Sequence, residues 1–182
     1  MNILKILITC NLLFAFQFAF SQKVKNFDFD KFKVALKKEN ISEAEKIKTW
    51  LVRSMTTDEA SICTKSCSEY LSNIPDDIEI GNEEKPGTLK KAFYKKWATT
   101  HDMNRIPNVH PFELGNGGCN KSHALNPQFI GFNSNGYYFI VIIYCDNNRS
   151  DNYKLILKVI AQNGKYLIDD VMSQTKADYF AQ

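Results

Sequence analysis

The spacing of apolar residues changes along the chain, from helical in the first half to extended in the last third. Phe29, Phe32 and Leu36 share one stripe and predict a helix over Asp28 to Glu39, with Asp28 as its cap and Phe27 just before it. Ala44, Ile47, Trp50, Leu51 and Met55 mark a second helix, opened by the capping-box pair Ser42 and Glu45. A third runs from Asp58 to Ile74 with Ala60, Tyr70, Leu71 and Ile74 on one face. Cys63 and Cys67 lie in the middle of it, so both thiols point at whatever the helix packs on. Residues 75–87 form a polar linker ending in Pro86-Gly87. Thr88 then caps a helix with Leu89, Phe93 and Trp97 on one face and Lys91 and Lys95 on the other.

The last third reads as strands. Tyr137 to Tyr144 is apolar on both alternating faces, as a central strand covered on both sides would be. Residues 153–161 and 165–172 flank Asn163-Gly164, a two-residue type I′ signal that predicts a tight antiparallel hairpin. The fold class is therefore α+β, with N-terminal helices packed on an antiparallel sheet.

The first 21 residues change where this domain is expected to work. Lys5 is the only charged side chain before Lys23, and it precedes an apolar run from Ile6 to Phe20. That run falls short of the roughly 20 residues of a membrane-spanning helix, and Ala19 and Ser21 supply the small residues of a cleavage site. A signal peptide cut after Ser21 leaves residues 22–182 as a single domain, periplasmic or secreted, with no stable membrane insertion. Without Lys5 the 23 Lys+Arg fall to 22 against 20 Asp+Glu. So balanced a charge excludes a nucleic-acid partner. The cluster Lys90, Lys91, Lys95 and Lys96 does not reverse this, because Phe93 and Trp97 belong to the core stripe and cannot stack on bases.

An oxidising compartment also changes the reading of Cys63, Cys67, Cys119 and Cys145. Four cysteines allow three connectivities. Cross-pairing would pin the Cys63/Cys67 helix to the sheet region, where Cys119 sits in a glycine-rich loop and Cys145 ends the most apolar strand. Pairing of Cys63 with Cys67 on one turn is the variant, and buried free thiols are the remaining alternative. Cys-x-x-x-Cys without a second close ligand pair does not make a zinc site, and no metal or cofactor is expected.

Candidate chemistry concentrates in the irregular stretch from His101 to Pro127, which holds His101, Asp102, His110, Phe112, Glu113, Cys119 and His123. A thiol hydrolase would need Cys119 free beside His110 or His123, with Glu113 or Asp102 orienting the base. The Gly115 to Gly118 run lacks the Lys-Ser/Thr of a phosphate loop and reads as a turn. The segment Asp146 to Asn152 lacks the glycine and glutamate of a calcium loop. On the last strand Asp169 and Asp170 face opposite ways. If Leu167 and Val171 face the core, Asp169 is the buried carboxylate and a candidate acid or base.

Helices first, then a long apolar strand, then Lys158 and the ending Asn163-Gly164-Lys165-Tyr166-Leu167-Ile168-Asp169-Asp170-Val171 resemble a family of secreted bacterial proteins of unknown function. These have the cystatin-like cone fold of the nuclear-transport-factor-two-like superfamily. The resemblance spans residues 42–174, and His110-Pro111-Phe112 is similar to an Asp-Pro-Phe loop of such proteins. It implies a curved sheet closed around a helical layer. With the signal peptide it points to an exported, non-enzymatic binding domain for a protein partner or a small apolar ligand. One version is an immunity or inhibitor protein against a periplasmic cell-wall enzyme, with residues 101–127 as the plug. The other class is an enzyme with an acid or base lining the cone, isomerase-like or hydrolase-like. The candidate binding residues are His110, Phe112, Glu113, His123 and Asp169.

Overall fold

The computed structural model describes residues 26–55, 59–75, 87–107, 122–145 and 153–176, with backbone alone at 59–60, 122–125, 143–145 and 153. Among them, α1 (Phe29–Lys33), α2 (Ile41–Ser54), α3 (Glu59–Ile62), α4 (Lys65–Ser72) and α5 (Thr88–Trp97) precede β1 (Ser122–Asn133), β2 (Gly136–Cys145), β3 (Tyr153–Gln162) and β4 (Lys165–Ser173). The strands pair antiparallel in chain order as one sheet, β1-β2-β3-β4. The fold is α+β.

The β3-β4 hairpin follows from its turn. Asn163 and Gly164 adopt φ of 53° and 74°, the left-handed pair that type I′ requires, and the register closes with Gln162 opposite Lys165. β2 is covered on both faces as its double apolar pattern demands. Phe139 and Val141 enter the core beneath the helices together with Leu155, Leu157, Val159 and Val171. Tyr138, Ile156 and Met172 join Phe29 in a smaller cluster on the opposite face, with Phe27, Phe32 and Leu36 packed around it. Each fully buried aliphatic or aromatic side chain of this kind contributes about 1.5–3 kcal/mol.

Five elements differ from the sequence expectation. β1 begins at Ser122, inside the stretch read as irregular. Its apolar alternation is broken by register shifts between Leu125 and Gln128 and between Phe129 and Gly131, and Asn126 takes a left-handed φ of 44°. Bulges hide a strand from period counting while bending it. The first helix stops at Lys33, and the chain then lies along β1. There Lys37 exchanges hydrogen bonds of 2.9 and 2.8 Å with Phe132. A Cβ on Gly131 would sit 2.7 Å from both Leu36 Cβ and Lys37 O, so only glycine admits this approach.

The long helix expected over Asp58 to Ile74 is two short helices. Cys63 bridges Ile168 in parallel, Thr64 N donates to Ile168 O at 2.8 Å, and Thr64, extended at φ −69° and ψ 154°, caps α4. The unpaired edge of β4 claims the backbone of those two residues, whereas apolar spacing alone continues through the break. Finally, α2 starts after Asn40 in a left-handed conformation with no side-chain cap, so the Ser42/Glu45 box does not form. Gly87, not Thr88, caps α5. Asp28 caps α1 as expected, accepting from Asp30 N and Lys31 N.

Candidate functional site

The site begins at an irregularity of β4. Lys158 lies opposite Asp170 while the next residue, Val159, lies opposite Ile168, so Asp169 is an extra residue bulged from the strand. Ile168 and Val171 can both enter the core only because of this insertion. It also exchanges the two carboxylates. The expectation that Asp169 is the buried one is corrected: Asp170 is 5% exposed, whereas the Asp169 side chain keeps 24% of its exposure.

Asp170 meets His101, which follows α5. His101 N donates to Trp97 O at 2.9 Å, and this closing turn carries the imidazole inward. His101 Nδ1 lies 2.7 Å from Asp170 Oδ1. The ring stacks on Tyr70 with centroids 3.7 Å apart and 2° between planes, and Trp97 presents an edge at 5.2 Å. With Asp170 ionised, Nδ1 carries the proton, and Nε2 is left as the acceptor. Among the described residues no partner meets Nε2.

Asp169 is held from two sides. Its Oδ2 lies 2.6 Å from Lys158 Nζ, and its Oδ1 accepts from Thr64 Oγ1 at 3.0 Å. Thr64 Oγ1 also accepts from Cys67 N at 3.2 Å, so a single hydroxyl ties the start of α4 to the bulge. Lys158 and Asp169, with His101 and Asp170, line a cleft of about 320 Å³ whose aromatic walls are Phe27, Phe32 and Tyr138. Phe32 sits 5.5 Å from Phe27 and 5.4 Å from Tyr138, centroid to centroid. Burial, with Asp170 and Asp169 nearby, pushes the Tyr138 hydroxyl well above the usual phenol range. It therefore stays protonated at physiological pH.

The Phe27/Phe32 wall is fixed by a second network. Phe29 N donates to Asp102 Oδ2 at 3.0 Å, Phe27 N donates to Ala98 O at 2.8 Å, and Arg105 binds Asp30 at 2.8 Å. Arg105 also donates to the carbonyls of Ser173, at 3.2 Å, and Gln174. Asp102, a candidate orienting group in the sequence, is 1% exposed and serves as this anchor.

No family model matches the chain, and no curated protein or solved structure does.

Of the residues singled out in the sequence, Asp169 lines the cleft. His110, Phe112, Glu113 and Cys119 lie outside the described residues, as does most of the 101–127 plug. His123 and Cys145 are placed by backbone only, on β1 and β2. Cys63 and Cys67 are both buried and carry free thiols. The neighbouring Cys63 thiol, then burial, pushes the Cys67 thiol far above its ordinary range. The described residues contain no cluster of three metal-ligating side chains and no helix long and apolar enough to cross a membrane.

Sequence reasoning named His101 only as one of three loop histidines, and it assigned the buried carboxylate to the wrong neighbour. The available signal was the position of His101 four residues after Trp97, which continues the Phe93/Trp97 stripe by one further helical turn.

Proposed function

We propose that this chain is an exported binding domain of the cystatin-like cone type that takes a small molecule in the cleft between α1 and the β4 bulge. The observation that carries the reading is the lining of that cleft. Three aromatic rings, Phe27, Phe32 and Tyr138, face the polar set His101, Lys158, Asp169 and Asp170. Its 320 Å³ falls within the range of small-molecule sites, which combine apolar walls with a few placed polar groups. Lys158 and Asp169 neutralise each other, and Asp170 already holds His101. The unspent capacity is the His101 Nε2 acceptor and the Tyr138 hydroxyl. A ligand with an apolar or aromatic body and one hydroxyl or amine donor fits these groups.

The test is a thermal-shift screen with phenols, aromatic amines and short fatty alcohols. The proposal expects at least one class to raise the melting temperature in a dose-dependent way. It also expects Phe32→Ala to weaken that binding about tenfold, the equivalent of about 1.4 kcal/mol of lost aromatic contact. Absence of any shift across the panel, or binding unchanged in Phe32→Ala, contradicts it.

A second reading has its own support. The 2.7 Å pair of His101 Nδ1 and Asp170 Oδ1, two residues that both line the cleft, is the carboxylate–imidazole pairing that a histidine general base uses. In that reading the bound donor loses its proton to Nε2. Turnover of a panel member that is lost in His101→Gln, while binding persists, separates this reading from simple binding.

A further inference from the structure

We infer that the cleft selects a positively charged ligand, a primary alkylammonium on an aromatic or apolar body, over a neutral alcohol of the same shape. This names the ligand class of the small-molecule site proposed above and rests on that site.

The charge balance of the polar wall comes first. Lys158 lies opposite Asp170 in the β3-β4 register, yet its ammonium sits on the bulged Asp169, at 2.6 Å. Asp170 is left with the His101 imidazole, bound through Oδ1 at 2.7 Å. Among the described residues no lysine or arginine pairs with Asp170. Two carboxylates of the cleft therefore share one ammonium, and with His101 in its neutral tautomer the wall keeps a net negative charge. The field of that charge is felt across the cleft. Asp170 and Asp169 both add to the burial that holds the proton on the Tyr138 hydroxyl.

The aromatic side suits a cation as well. Phe32 is inclined 55° to Phe27 and 64° to Tyr138, so rings of different orientation border one space. The face of such a ring attracts an ammonium within about 6 Å of its centroid. One alkylammonium is already seated on the polar wall, that of Lys158 itself. A ligand ammonium brings three N–H donors to the acceptors that remain, His101 Nε2 and the second oxygen of Asp170. A neutral hydroxyl brings one donor and leaves the charge unmatched, and a ligand carboxylate is repelled. The Lys158 and Asp169 side chains keep 20% and 24% of their exposure, so water screens the wall. Screening holds the preference for the cation to about tenfold.

The test compares three probes of similar shape, phenethylamine, phenethyl alcohol and phenylpropanoate, by calorimetric titration of the full chain at neutral pH, where an alkylammonium is charged. The amine should bind about tenfold more tightly than the alcohol, and the carboxylate most weakly. Asp169→Asn frees Lys158 to approach Asp170 and should bring amine and alcohol to within about twofold of each other. Lys158→Gln removes the wall's own cation and should widen the gap about tenfold further. Damage to the fold would not move the two variants in opposite directions. Alcohol binding as tight as amine binding, or a preference equal in both variants, overturns the inference and leaves the small-molecule site standing. Binding of none of the three also overturns it, and the site itself falls only if the wider thermal-shift panel fails as well.

Discussion

His101 and Asp170 are each almost completely enclosed, so each depends on the other for its polar partner. Replacing His101 by Ala would strand the Asp170 carboxylate and open a gap against the Tyr70 ring. Losing a buried hydrogen bond to a carboxylate together with the ring's packing costs about 3 kcal/mol. His101→Asn, whose amide can donate the same hydrogen bond, should recover part of that loss. Urea denaturation of the three proteins measures both effects, and a His101→Ala midpoint equal to wild type would contradict the geometry. The same residues show why the site was only partly legible. Strand alternation puts Asp169 with Leu167 and Val171, and the prediction that Asp169 is buried follows correctly from a regular strand. One inserted residue reverses it, because Ile168 and Val171 are three apart and yet both are in the core. Nothing in the local composition of Ile168-Asp169-Asp170-Val171 marks the insertion. It is imposed by pairing with β3.

At the scale of elements, legibility follows how local the determinants are. The β3-β4 hairpin and the doubly apolar β2 are written in adjacent residues, and both form where expected. The break between α3 and α4 and the early end of α1 are set by the sheet edges, which recruit Thr64 and Lys37 from distant parts of the chain. One contact between elements also sets a pH response. Tyr166 on β4 donates to Glu43 Oε1 on α2 at 2.6 Å, and this bond raises the phenol from 10.0 to about 12. A raised value means that the fold favours the protonated phenol. Its contribution is complete below pH 10, the unfolded value, and is lost as the pH climbs through about 12. Stability measured from pH 9 to 12 should therefore fall more steeply in wild type than in Tyr166→Phe. Parallel profiles would show that the bond does not stabilise α2 against β4.

For the whole molecule, the sheet separates two unequal apolar layers. The larger lies under α2 to α5, and the smaller is closed by the aromatic residues in and around α1. The cleft opens where the polar bulge of β4 interrupts this second layer. Its lining comes from residues near 27–32, 100–101, 138, 158 and 169–170, brought together from distant parts of the sequence. No linear motif could have announced such a set. What the sequence did carry was the α+β class and the candidacy of Asp169. The most direct test of the account is an amide NMR titration with the panel member that gives the largest thermal shift. Occupancy of the cleft predicts shifts centred on Phe32, His101, Tyr138, Lys158 and Asp169, with the far end of α2 unmoved. Shifts that spare these five residues and gather on another face would contradict it.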